Sequence, residues 1–167
     1  GEVLHLRGGN GVGKTSLLEV LSGLREPAAG RIAPRPEAEF LHWLGHKNAL
    51  NPALTPMENL EFWCGVNSTT SSEIQGAMKR LDVSAVRHKP CRSLSAGQKR
   101  RTALARLLLV HRPLWLLDEP LDGLDAQGLA CFAGLLNEHL QTGGAAVITS
   151  HQPLPVGISG VRELQLA

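Results

Sequence analysis

A glycine-rich run near the amino end carries the chain's first candidate anion-binding groups. Gly8-Gly9-Asn10-Gly11-Val12-Gly13-Lys14-Thr15 fits the pattern G-x-x-x-x-G-K-[ST], with Ser16 directly after it. Glycines in such a loop let the backbone turn successive N–H groups inward on phosphate oxygens. A helix begun by Lys14 and Thr15 presents its positive end to the same anion. Lys14 is expected to reach the β- and γ-phosphates, and the Thr15 hydroxyl to ligate Mg²⁺.

A carboxylate pair, Asp118-Glu119, follows directly on the apolar run Leu114 to Leu117. Phosphoryl transfer to water needs a divalent ion near the β- and γ-phosphates and a group that orients the attacking water. Asp118 suits the first task, through Mg²⁺ and its water shell, and Glu119 the second, as general base. Leu94-Ser95-Ala96-Gly97-Gln98 forms a second helix start able to meet an anion, through the Ser95 hydroxyl and close backbone approach at Gly97. Taken alone, this stretch is equally an ordinary helix cap. One triphosphate cannot easily use both helix starts if they lie apart in one domain, whereas a head-to-tail dimer resolves the conflict.

These residues need elements to position them. Val3, Leu4 and Leu6 read as a buried strand, and Leu17, Leu18, Val20, Leu21 and Leu24 recur at helical spacing, a helix that Gly23 can end. Pro27, Gly30, Pro34 and Pro36 mark a connector before an apolar strand from Phe40 to Leu44. Thr55-Pro56-Met57-Glu58 is a capping box for a helix that Gly65 or Asn67 stops. Thr70-Ser71-Ser72-Glu73 reads as a second box, and Ser95 with Gln98 as a third, opening a helix that ends before Pro113. Leu114 to Leu117 is a central parallel strand, and Asp125 caps a helix over about 126 to 141. Ala145 to Thr149 is another buried strand, and Val161 to Leu166 an alternating one. Strands alternating with helices predict an α/β fold, a parallel sheet covered by helices with ligands at the carboxyl ends of its strands. Residues 1–54 and 91–167 form the catalytic core, and about 55–90 a small helical insertion.

Composition narrows the functional classes. With 167 residues and 43% hydrophobic content, the chain fits one globular domain. Lys and Arg number 17 against 15 Asp and Glu, without a dense basic run, so nucleic-acid binding has no electrostatic support. The cluster Lys99-Arg100-Arg101 reads as a solvated helix face. Cys64, Cys91 and Cys131 stand far apart, as free thiols do in a reducing compartment. His42 and His46 flank strand and turn residues rather than forming a metal pair. No apolar run approaches the roughly 20 residues of a membrane span, so a membrane role is expected to run through a partner.

In order along the chain, the loop, Leu94 to Gln98, the pair Asp118-Glu119, the turn Asp122-Gly123-Leu124-Asp125 and His151 after a strand resemble the ATPases of ABC transporters. The resemblance implies a P-loop NTPase fold, ATP and Mg²⁺ as ligands, and closure with a second copy head to tail. It further implies that Asp125 lies in a loop communicating across the dimer and that His151 contacts the γ-phosphate and the Glu119 region. A narrower likeness rests on Trp43-Leu44-Gly45-His46, the stretch Leu54 to Leu60, Leu94 to Arg101, and Thr149-Ser150-His151-Gln152-Pro153-Leu154. These resemble the haem-exporter ATPases of bacterial cytochrome c maturation. His46 stands where most of the wider family carries a Gln that senses the γ-phosphate and Mg²⁺. The implied partners are integral membrane transporter subunits, on the cytoplasmic face of the bacterial inner membrane, with no direct haem binding, since no C-x-x-C-H motif is present. Family members begin earlier, with a β segment whose aromatic residue stacks on adenine. That segment is missing here and the chain has no Tyr, so binding through the phosphates is expected. Alternatives are the ATPase subunit of another small-substrate transporter, a truncated ATP-binding module with little activity, and a DNA-repair or chromosome-associated ATPase head.

Overall fold

The structure is a computed structural model, and it describes residues 1–33 and 36–167. Its strands are β1 (Val3–Arg7), β2 (Leu41–Leu44), β3 (Leu114–Asp118), β4 (Ala145–Thr149) and β5 (Val161–Gln165), all parallel and ordered β2-β3-β4-β1-β5. Its α-helices are α1 (Lys14–Ser22), α2 (Pro56–Val66), α3 (Ile74–Arg80), α4 (Ala96–Leu109) and α5 (Ala126–Gln141). The chain divides into two compact units, one of Gly1–His46, Arg112–Pro120 and Leu136–Ala167, the other of Lys47–His111 and Leu121–Leu135.

The first unit holds the sheet. Parallel strands must be covered on both faces, which is why β3 is a continuous apolar run and is buried from Trp115 to Asp118. On one face, Leu6, Leu41 and Leu116 pack with Leu18 of α1, joined by Leu17, Leu21, Trp43 and Val147. Side chains alternate along a strand, so Trp115 points the other way. There the His139 ring stacks on it, with centroids 3.7 Å apart and planes 8° from parallel. His139 Nε2 also meets the Ala145 carbonyl at 3.1 Å.

In the second unit α2, α3 and α4 pack against one another. Leu60 and Cys64 of α2, Ile74 and Met78 of α3, Leu104 of α4 and Phe132 are buried there. Among the described residues, no helix is long and apolar enough to cross a membrane.

Local chemistry fixes most helix ends as the sequence predicts. Gly23, at φ 81°, closes α1. Thr55 Oγ1 accepts from the Glu58 N–H at 3.2 Å, and Glu58 Oε2 accepts from the Thr55 N–H at 2.7 Å. The Ser95–Gln98 box is equally complete, with both bonds at 3.1 Å. Asn67 ends α2, and Asp125 Oδ1 accepts from the Gly128 N–H at 2.8 Å at the start of α5.

Other expectations need correction. No capping box forms at Thr70, whose hydroxyl instead accepts from the Ser72 N–H at 3.2 Å. That short turn satisfies the amide locally, and α3 begins only at Ile74 without a side-chain cap. Phe40 belongs to a 3-10 turn, so β2 starts at Leu41. β5, at the edge of the sheet beside β1, is exposed at every position rather than alternating. Arg100 and Arg101 are buried, at 3% and 8% exposure, so the basic cluster is not a solvated face. Arg101 Nη1 donates to Asp82 Oδ2 at 2.9 Å. Pro27, Gly30 and Pro36 lie outside helix and strand, whereas Pro34 falls outside the described residues.

Leu18 is fully buried at the centre of the α1 face. Leu18→Ala is therefore expected to lower unfolding stability in urea by about 2–5 kcal/mol, transfer and cavity terms together.

Candidate active site

Because the strands are parallel, their carboxyl ends share one edge of the sheet, and the first unit's candidate residues gather there. The phosphate loop leaves β1, His46 lies two residues beyond β2, Asp118 ends β3, and His151 follows β4. The register sets Leu44 beside Leu117, Asp118 beside Thr149, and Leu6 also beside Thr149. β4 thus stands between the strand that feeds the loop and the strand that carries the carboxylate pair.

Gly13 is the N-cap of α1 at φ 104° and ψ 12°, a left-handed conformation that a Cβ disfavours. Its carbonyl accepts from the Leu17 N–H at 2.8 Å. Gly9, Asn10, Gly11 and Thr15 are exposed, Gly8, Val12, Gly13 and Ser16 are half-buried, and Lys14 is buried. The Lys14 ammonium turns into its own loop, donating to the Gly8 carbonyl at 2.9 Å and the Gly9 carbonyl at 3.1 Å. A cation held at the loop mouth is chemically suited to a polyphosphate.

Thr15 Oγ1 donates to both oxygens of Asp118, at 3.1 and 3.0 Å. Asp118 is 1% exposed, and Thr149 Oγ1 supplies a further bond to its Oδ1 at 2.7 Å. The Thr15–Asp118 pair fits a magnesium ion: octahedral bonds of about 2.1 Å place neighbouring ligand oxygens roughly 3.0 Å apart.

Glu119 sits at φ 49°, a left-handed conformation that a non-glycine residue adopts only when its surroundings hold it. Its N–H donates to Thr149 twice, to the hydroxyl at 2.9 Å and to the carbonyl at 3.2 Å. The His151 N–H donates to Glu119 Oε2 at 3.1 Å, and His151 Nε2 stands 3.5 Å from Oε1. The carboxylate is thus aimed by its neighbours. His42 is buried in β2 while His46 is exposed beyond it.

Ser95, Gly97, Gln98 and Asp125 belong to the second unit, where each has a structural task. Ser95 and Gln98 cap α4 and Asp125 caps α5. A Cβ on Gly97 would lie 2.6 Å from the Gly123 carbonyl oxygen. Glycine is therefore required at 97 by the turn that precedes α5, independently of any anion.

Thr149 is the site residue that sequence reasoning misses. It reads only as the last position of a buried strand. The available signal is a hydroxyl at a strand end, directly before Ser150 and His151.

The sequence profile of the ABC transporter family matches residues 1–122, and the chain belongs to this family. Over 167 residues, all of its length and 75% of the relative's, it is 44% identical to the cytochrome c biogenesis ATP-binding export protein CcmA of Rhodobacter capsulatus. It is 45% identical over 162 residues to CcmA of Rhodopseudomonas palustris, covering 93% of this chain and 81% of that one. The fold recurs in an ABC transporter ATP-binding protein from Pyrococcus furiosus, with TM-score 0.82 and 24% identity over 99% of this chain and 84% of that one. It recurs too in a dimeric ATP-binding cassette solved in a post-hydrolysis state with ADP and Pi, with TM-score 0.77 and 23% identity over 90% and 75% of the two chains.

Thr149→Val should take one of two partners from each of the buried Glu119 N–H and Asp118 Oδ1, a loss of about 1–3 kcal/mol in urea unfolding. Thr149→Ser, which keeps the hydroxyl, should recover most of that loss.

Proposed function

We propose that this chain is the ATP-hydrolysing subunit of a cytochrome c biogenesis transporter, acting as a head-to-tail pair on the cytoplasmic face of the bacterial inner membrane. The work it drives is haem export or release of a haem-loaded chaperone. The observation that carries the catalytic part is the run of hydrogen bonds from Thr15 to Asp118, Thr149, Glu119 and His151 in turn, at one edge of the sheet beside the phosphate loop.

In this reading the loop from Gly8 to Ser16 holds the triphosphate, and Lys14 exchanges its loop carbonyls for the β- and γ-phosphate oxygens. Thr15 and Asp118 would hold Mg²⁺, Asp118 partly through water, and the ion supplies neutralisation of the phosphate charge. Glu119 orients a water molecule and takes its proton as the water oxygen bonds to the γ-phosphorus. The bond from that phosphorus to the bridging oxygen breaks, and ADP keeps the electron pair. The His151 N–H fixes the angle of the Glu119 carboxylate, while the His151 and His46 side chains face the γ-phosphate. Ser95, Gly97 and Gln98 of the second copy close over the nucleotide, and Asp125 lies in the loop between copies. Positioning and electrostatics of this kind account for most of the catalysis in phosphoryl transfer.

The helical insertion of about 55–90 is the part that meets the membrane subunits. A groove of about 280 Å³ on this unit, lined in part by Leu54, Phe62, Trp63 and Val66, supports that reading. Phe62 and Val66 are 68% and 64% exposed, one helical turn apart on α2. Exposed apolar side chains in a concave patch mark interaction sites.

Glu119→Gln is expected to keep MgATP affinity within about threefold while turnover falls by roughly 100-fold or more. With ATP it should accumulate a stable two-copy species in sedimentation. Undiminished hydrolysis would remove Glu119 from the mechanism. Phe62→Asp should leave ATP hydrolysis by the isolated chain intact and abolish co-purification with the haem-handling membrane subunits. Retained co-purification would move the docking surface elsewhere.

A further inference from the structure

Two arginines of α4, Arg100 buried and Arg106 half-buried, grip the chain just after His46. Arg106 Nη1 donates to the Asn48 carbonyl at 3.2 Å, and its Nη2 to the Ala49 carbonyl at 2.8 Å. Arg100, earlier on the same helix, donates from Nη1 to Asn48 Oδ1 at 2.9 Å. The turn they hold is one the backbone resists, because Ala49 sits at φ 50°, where a residue with a Cβ stays only if its surroundings fix it.

The guanidinium is suited to this task in a way an ammonium is not. Its planar fork of donors can meet two successive carbonyls at once, and delocalised charge tolerates an apolar surrounding. Burial pushes the Arg106 guanidinium down from its usual value. The Trp63 ring lies against it, with Cζ 5.0 Å from the ring centroid, and keeps the fork in place through cation–π attraction.

We propose that Arg106, backed by Arg100, is a positioning residue for nucleotide hydrolysis: it fixes the Asn48–Ala49 turn and so sets the path of the loop that begins at His46. The kinetic consequence rests on the ATPase reading above, whereas the clamp itself does not. Arg106 touches no substrate in this scheme. It acts on the backbone two and three residues beyond His46.

Two measurements on the full chain test it. Tryptic cleavage after the exposed Lys47 requires the following turn to open, so Arg106→Gln should accelerate cleavage there about tenfold, mapped by mass spectrometry, with cleavage after Lys79 and Arg87 unchanged. Steady-state kinetics should show kcat per nucleotide-binding site down about tenfold at constant KM. Arg106→Lys should not rescue it, since one ammonium does not span both carbonyls. Asn48→Ala removes the Oδ1 acceptor of Arg100 and keeps both carbonyl acceptors of Arg106; it should give a smaller change of the same sign in both readouts. An unchanged cleavage rate after Lys47 overturns the clamp. A faster cleavage with unaltered kcat per site overturns the positioning role. A wild-type chain that binds and hydrolyses no MgATP ends the ATPase reading and the kinetic role with it, while the cleavage pattern still decides whether the clamp exists.

Discussion

A carboxylate that is 1% exposed has to be met by donors, and Asp118 is met by hydroxyls from two other elements. Leaving such a group unpaired in the interior costs several kcal/mol. That one constraint fixes the architecture around it. Thr15 must come from the first turn of α1 and Thr149 from the last position of β4, which requires β4 to run between β1 and β3 in the register observed. The packing of Leu18 against Leu6, Leu41 and Leu116 holds α1 on the sheet at the place that brings Thr15 to the carboxylate.

The hydroxyl that satisfies Asp118 also accepts from the Glu119 N–H, so one side chain stabilises two consecutive carboxylate residues. Glu119 needs that support, because its left-handed backbone is unfavourable by itself. With Thr149 on the amide and the His151 N–H on the carboxylate, the group is fixed before any substrate arrives. Preorganisation of this sort lowers the reorganisation a reaction must otherwise complete at the transition state. Strain at Glu119 and strain at Ala49 are handled alike, by donors or acceptors anchored in neighbouring elements.

What the sequence made legible was local. The phosphate loop, the Thr55 and Ser95 caps, the Asp125 cap and the Gly23 stop each depend on residues within seven positions of one another, so spacing alone reveals them. The β3 run was legible because full burial leaves only apolar residues between turn signals. Less visible were features that depend on distant parts of the chain. Arg100 looks solvent-facing until Asn48, 52 positions away, is seen to take its Nη1 hydrogen bond. Thr149 and Asp118 are 31 positions apart and meet only through strand register. His139 looks like a helix-end residue, yet it stacks on Trp115 in the core. At Thr70 a short turn and a capping box draw on the same residue types, and the local turn prevails.

In the proposed mechanism Thr15 and Asp118 would together make a magnesium-dependent phosphate site at the mouth of the Gly8–Thr15 loop. Titration calorimetry with ATP, in Mg²⁺ and then in excess chelator, tests it most directly, with Thr15→Ala run alongside. ATP binding should tighten at least tenfold with Mg²⁺ in the wild type and lose that dependence in Thr15→Ala. Equal affinity with and without Mg²⁺ in the wild type, or an undiminished Mg²⁺ effect in the variant, would contradict it.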